Sequence, residues 1–191
     1  MPVPGDVTND SDMRSLVARA VDAFGHLDVI LCNAGVGLDA PFYTTALADI
    51  RRLVDVNLMG TFNAAHAAMH LFTRQGHGHI IAVSSIVGRR GIAGSGVYGA
   101  TKAAQRGFIE SLRAEFVGTP FHASIVFPIS TLGPRQPVDR VAVAIADCIA
   151  KPRAEVYPSP RSRLLGVLSV IAPARADRLV QRLRPSARFF S

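Results

Sequence analysis

Three short apolar runs, each ending in small polar or turn-forming residues, constrain this chain more than any other feature. They are Leu27 to Cys32, broken only by Asp28 and closed by Asn33-Ala34-Gly35; Ile80 to Val83, closed by Ser84 and Ser85; and Ala123 to Phe127, closed by Pro128. Runs of this length without polar alternation read as strands covered on both faces. The stretches between them are long enough for helices and carry helical spacing, so the strands must run parallel with crossovers. The fold expected is α/β, a doubly wound parallel sheet of the Rossmann-like kind in a single domain.

Taken in order, residues 2 to 8 read as the end of a strand. Asn9 to Ser11 then offer caps for a helix whose apolar positions, Met13 to Phe24, end at Gly25. Two helices are expected over Thr45 to about Asn57 and Gly60 to about Arg74, a glycine-rich loop over 86 to 96, and a long helix from Val97 to about Val117. Pro137 starts another helix through about Ala150, and Glu155 to Tyr157 is a last short strand. Segments 27–32, 79–84, 123–127 and 155–157 should form one sheet with Asn33 and Ser85 at its carboxyl edge, where open parallel sheets bind ligands.

Composition narrows the function. With 49% hydrophobic and 18% charged residues, the 191-residue chain can bury a substantial core. Cys32 and Cys148 fall inside apolar runs and make no disulfide framework, no metal-ligand spacing appears, and no apolar run reaches membrane-spanning length, so a cytoplasmic protein without a metal is expected. The net charge of +7 sits almost wholly in residues 161 to 191, where seven arginines face Asp177 alone. With no Trp and three Tyr, and the charge confined to one end, nucleic-acid binding is not expected. Residues 1–158 therefore read as the body and 159–191 as a basic, partly apolar helical extension. Leu164, Leu165, Val167, Leu168, Val170 and Ile171 cluster there among arginines, which suits helices laid on the body or a patch that touches an anionic membrane surface.

The chemistry lies between Ser85 and Lys102. Tyr98 and Lys102 are four apart, so their side chains leave one face of a helix a turn from each other. A phenol titrates near pH 10 in water and exchanges protons at neutral pH only where its surroundings favour the phenolate, and the Lys102 ammonium is expected to lower it. Ser85, thirteen residues before the tyrosine, adds a hydroxyl at a strand end.

This constellation resembles the short-chain dehydrogenase/reductase family, whose active site is a Ser and a Tyr-x-x-x-Lys at that separation. Asn33-Ala34-Gly35 is similar to the family's Asn-Ala-Gly motif, Val56-Asn57-Leu58-Met59-Gly60 to its helix with a fourth catalytic residue, Asn57, and Gly5-Asp6-Val7 to its adenine-pocket Asp-Val. The resemblance spans about Val3 to Pro158. It implies a hydride-transferring oxidoreductase acting with NAD or NADP on a carbonyl or secondary alcohol. Tyr98 would be the general acid and base, Lys102 would bind the nicotinamide ribose, Ser85 would hold the substrate oxygen and Asn57 a water. Asp6, Val7, Asn33, Ala34, Gly35, Tyr98, Lys102 and Pro128 would contact the dinucleotide. In the family, the helices matching 60–74 and 97–117 pair two copies.

Two departures stand out. The family's opening strand, Gly-x-x-x-Gly-x-Gly turn and helix have no counterpart before Asp6, so the chain is expected to be N-terminally truncated, by roughly fifty residues. It is then either a shortened version of a longer chain or a protein that lost its dinucleotide site. After Phe127-Pro128 the family has Gly and a long loop that closes on the substrate; here Ile129 to Pro134 leads almost directly into the next helix, and the substrate is not readable. The alternative to an oxidoreductase is therefore a cofactor-free interaction protein that pairs through those two helices.

Overall fold

The computed structural model describes residues 1–129 and 137–183. Strands β1 (Val29–Cys32), β2 (Gly78–Val83), β3 (Phe121–Val126) and β4 (Glu155–Val156) form one sheet in the order β1-β2-β3-β4, and every neighbouring pair is parallel. Cys32 lies opposite Ala82 and Ala82 opposite Ile125, so the strands end level with one another. The four expected segments thus pair as one parallel sheet, with Asn33 and Ser85 at its carboxyl edge.

Alternation along each strand sorts the core into two layers. On one face Ile30, Cys32, Ile80, Ala82, Ala123 and Ile125 pack under α1 (Asp10–Phe24), α3 (Gly60–Gln75) and α4 (Gly96–Glu115). On the other, Ile81, Val126 and Val156 meet Ile145 and Cys148 of α5 (Val138–Ala150). Helices on both faces make this a Rossmann-like α/β domain. Each fully buried Ile or Phe contributes about 1.5–3 kcal/mol, and Phe72, Phe127, Ile80, Ile81 and Ile125 are all fully buried. The ends of α1 follow the expected signals: Asn9 Oδ1 accepts the Ser11 N–H at 3.0 Å, and Gly25 closes the helix in the left-handed region at φ 83°.

Three expectations are corrected or left aside. Residues 2 to 8 form no strand. Pro2 and Pro4 have no N–H to give a ladder, and the Asp6 carboxylate accepts the Thr8 N–H at 2.9 Å while Asn9 N donates to Asp6 O at 3.0 Å, which folds the segment into a turn. β1 is accordingly the outermost strand. The two helices expected on either side of Asn57 are one continuous helical rod, in which α2 (Leu47–Leu53) runs into α3 through a wide π turn at Val54–Met59. The short connection expected after Ile129 falls in 130–136, outside the described residues.

One packing detail yields a sharp test. A Cβ at Gly78 would sit 2.1 Å from Cγ of the Phe72 ring, whereas a Cβ at Gly91 would meet nothing within 4 Å. Gly78→Ala is expected to cost about 3 kcal/mol by overpacking, while Gly91→Ala should stay within about 0.5 kcal/mol of the parent. Calorimetric melting of both variants checks the pair, and equal melting temperatures would mean that α3 does not lie on β2 as described.

Candidate active site

Each candidate residue sits where two elements meet at the carboxyl edge of the sheet. Ser85 follows β2 in extended backbone and caps a single 3-10 turn, Ile86–Gly88, its Oγ accepting the Val87 N–H at 3.3 Å. The turn is tied to β3 by Ile86 N donating to Pro128 O at 3.0 Å, which places Pro128 beside the serine. Helix α4 crosses close behind. A Cβ at Gly88 would lie 2.6 Å from the Lys102 carbonyl carbon, so only glycine lets the helix approach, and Ser84 Oγ donates to Lys102 O at 2.8 Å. The adjacent serines divide the work: Ser84 fixes the helix, and Ser85 lies close enough to the Tyr98 phenol to lower its pKa.

Lys102 is 4% exposed. Its Nζ donates to Val83 O at 2.8 Å and stands 5.8 Å from the centroid of the Tyr98 ring. Burial pulls this ammonium down from its ordinary 10.5 to about 8. The phenol behaves otherwise than expected. Burial raises the Tyr98 pKa, the Ser85 hydrogen bond offsets this in part, and Lys102 does not contribute, because its charge lies over the ring rather than beside the hydroxyl.

Asn57 is fully buried in the π turn. Its side chain clamps the loop after β1, accepting the Val36 N–H at 2.8 Å and donating to Val36 O at 2.9 Å, and it also donates to Thr101 Oγ1 at 3.1 Å. Its carbonyl accepts from Thr61 Oγ1 and from Gln105 Nε2, each at 2.8 Å. The side chain named as a water holder is thus engaged in joining β1, the π turn and α4. The clamp brings Asn33-Ala34-Gly35 in: a Cβ at Gly35 would come 3.2 Å from Asn57 Oδ1 and 3.5 Å from Lys102 Nζ.

The adenine-end candidates lie further along the edge. Val7, Asn33 and Ala34 line a cleft of about 200 Å³ together with Val3, Gly5 and Gly60. Val7 is fixed against α3, since a Cβ at Gly60 would meet Val7 Cγ2 at 2.7 Å and Asn63 Nδ2 donates to Val7 O at 2.9 Å. Asp6 turns instead toward Thr8, which holds its carboxyl below the usual range.

Residues 1–134 match the family model described as short chain dehydrogenase. The chain belongs to that family. Among curated relatives it is 32% identical over 126 residues to a protein named Ketoacyl reductase HetN from Nostoc, a match covering 66% of this chain and 44% of that one. Among solved structures it resembles a short-chain dehydrogenase/reductase from Burkholderia phymatum in complex with NAD (TM-score 0.81, 19% identity, covering 88% of this chain and 74% of that one). It also resembles an alcohol dehydrogenase from Thermococcus sibiricus complexed with 5-hydroxy-NADP (TM-score 0.70, 22% identity, covering 80% and 71%). The chain spans about half the length of the curated relatives it matches.

In this chain several site neighbours carry no motif. Tyr98, Thr101, Lys102 and Gln105 form one polar stripe at i, i+3, i+4 and i+7, and that spacing was the available signal for Thr101 and Gln105. Arg89, just past the 3-10 turn, ion-pairs with Glu155, donates to Tyr157 Oη at 3.2 Å and lies 5.1 Å above the Phe127 ring. The cluster pins the Ser85 turn to β3 and β4. Beyond it, α6 (Pro160–Ile171) and α7 (Pro173–Leu183) lay Leu165, Ala176 and Val180 on Ile86, Val87 and Ile92, with Tyr98 packed against the same cluster, and Arg90 ion-pairs with Asp177. No group of three or more His, Cys, Asp or Glu side chains able to hold a metal occurs among the described residues.

Proposed function

We propose that this chain supplies the proton-transfer machinery of an oxidoreductase acting on a carbonyl or secondary alcohol, with NAD or NADP as hydride partner. The observation that carries this reading is the convergence of Ser85 on the Tyr98 phenol, whose pKa it lowers against burial, with the Lys102 ammonium 5.8 Å from the centroid of the same ring. A substrate oxygen placed between the two hydroxyls would meet one donor that polarises it and one that protonates it. A phenol raised by burial stays protonated at neutral pH, so Tyr98 is poised as the acid that protonates a carbonyl oxygen. Lys102, with its pKa near 8, can be charged or neutral around physiological pH, which suits a group that restores the proton Tyr98 gives up. Asn57 positions this lysine's surroundings by holding Gly35 and Thr101 in place.

The residues present fit the two nucleoside ends of a dinucleotide. Gly35 gives the close approach a ribose beside Lys102 needs, and the cleft at Val7, Asn33 and Ala34 suits an adenosine. When bound, the cofactor supplies or accepts the hydride. The pyrophosphate is another matter. Most of a dinucleotide's grip comes from a glycine turn and a helix N-terminus at those phosphates, and no Gly-x-x-x-Gly-x-Gly occurs in these 191 residues. NADH and NADPH titrations, followed by nicotinamide fluorescence, should show millimolar or weaker binding by the 191-residue chain. A version extended upstream with an in-frame glycine-turn unit should bind at micromolar concentrations. If neither version binds at any pH, the oxidoreductase reading falls.

Pairing of two copies through α3 and α4 belongs to the same reading and rests on the family resemblance. The edge-to-face contact of Phe62 with Phe108, ring centroids 4.8 Å apart, already joins those two helices within one copy. As for the solvent in which it works, no described helix is long and apolar enough to cross a membrane.

A further inference from the structure

Helix α6 carries six aliphatic residues, Leu164, Leu165, Val167, Leu168, Val170 and Ile171, more than a single core-facing side accommodates. Only one side is covered. Ser162, Leu165 and Gly166 are buried against the body, with Gly166 so close to Tyr157 that a Cβ would sit 2.5 Å from its ring. At 100° per residue, Leu164, Val167, Val170 and Ile171 fall together on the opposite arc, and they are 64%, 48%, 66% and 74% exposed. On the same wheel Arg161 lies past Leu164 outside that arc, and Arg163 falls within it, between Val170 and Val167. Both are exposed, as are Arg175, Arg178 and Arg182 of α7, and none of the five makes an ion pair among the described residues. The one acid of the segment, Asp177, is neutralised by Arg90. The face is an aliphatic patch interspersed with arginines that no acid pairs among the described residues.

We propose that α6 is a membrane-surface contact, laying Leu164, Val167, Val170 and Ile171 into the acyl boundary of an anionic bilayer while the arginines meet lipid phosphates. Charge decides among occupants. A second copy would bring the same arginines against these, and repulsion would oppose the apolar gain. A nucleic acid would match the charge and leave the stripe in water. An anionic lipid surface satisfies both features, because juxtaposed arginines and apolar residues are what interfacial helices use. Asp177 and Arg90 give the patch its footing: their ion pair and the Gly166–Tyr157 contact fix α6 and α7 to the turn that carries Ser85, so a bilayer on α6 would lie beside the candidate active site. The contact stands independently of the proposed reaction.

Co-sedimentation of the full chain with vesicles tests it. Binding is expected to vesicles of phosphatidylcholine with phosphatidylglycerol, with little to phosphatidylcholine alone, and it should weaken as salt rises. Arg161→Gln and Arg163→Gln should each weaken it about fivefold. The double variant Val167→Asn/Ile171→Asn should weaken it at least tenfold at unchanged net charge, and because both positions are exposed its melting temperature should match the parent's. Equal binding to neutral and anionic vesicles, or full binding by the Val167→Asn/Ile171→Asn variant, would overturn the proposal. So would sedimentation showing that this variant abolishes a dimer of the parent in the absence of lipid, which would assign the stripe to a second copy.

Discussion

Tyr98→Phe is expected to remove carbonyl reduction almost completely, by a factor of about 10²–10⁴ in kcat/KM, while leaving the fold and cofactor affinity nearly untouched. The phenol oxygen is the atom from which a proton can reach the substrate, and the Ser85 side chain pulls its pKa down against burial. The ring, half-buried against Ile86 and Val87, keeps its packing in the phenylalanine variant. Removing a raised-pKa hydroxyl with a single partner should shift the melting temperature by no more than a few degrees. The measurement is single-turnover oxidation of NADH or NADPH by a small carbonyl compound, in whichever version of the protein binds the dinucleotide. A variant that retains more than a tenth of the parent rate would mean that Tyr98 is not the proton donor. A variant that binds dinucleotide normally yet fails to turn over would separate the oxidoreductase from a protein that merely kept the motif.

What the sequence makes legible, and what it hides, follows from the range of the forces concerned. β1, β2 and β3 are legible because they keep apolar runs around Ile30, Ile80, Ile81 and Ile125, even though Leu31 on the edge strand is 40% exposed and the buried polar pair His79 and Ser124 is hydrogen-bonded across β2 and β3 at 2.8 Å. That pattern needs no partner to be recognised. The Tyr98–Lys102 face is legible because helical period alone sets it. The turn at Asp6 was misread because the resemblance to Asp-Val favoured a strand there, although Pro2 and Pro4 argued locally against one. The π turn at Asn57 leaves no trace in propensity: its wide ring is held open by Val36, Thr101 and Gln105, residues 21, 44 and 48 positions away. Arg89 and Glu155 are 66 apart, and nothing short of the sheet order brings them together. The Tyr98 pKa was misjudged for a geometrical reason. Spacing puts Lys102 on the tyrosine's face, but the carbonyl of Val83 captures its Nζ and leaves the cation above the ring instead of at the hydroxyl.

That capture makes Lys102→Met the change with opposite effects on stability and on chemistry. An ammonium that is 4% exposed, with the Val83 carbonyl as its recorded acceptor, is held at a cost, and its pKa of about 8 in the fold against an ordinary 10.5 measures that cost at about 3 kcal/mol. The sign follows from proton counting. Below pH 8 both folded and unfolded chains hold the proton, and the whole penalty is present. Between about 8 and 10.5 the unfolded chain binds more protons than the folded one, so stability rises with pH and the penalty fades. The raised Tyr98 works the other way, but only above pH 10. Methionine fills the same channel without a charge and forfeits the hydrogen bond to Val83, worth about 1 kcal/mol, so the variant should be more stable than the parent at pH 7 by about 1–2 kcal/mol. Its advantage should shrink steadily as melting is followed from pH 8 to pH 10. Reduction, by contrast, should fall by about 10²–10³, since the lysine that returns the proton to Tyr98 and that the family resemblance assigns to the nicotinamide ribose is then gone. In the parent the same titration predicts a rate that holds from pH 6 to about 8 and declines above it. A methionine variant less stable than the parent at pH 7, or one whose stability advantage does not depend on pH, would show that Lys102 is held comfortably and that its low pKa is not the source of strain in the site.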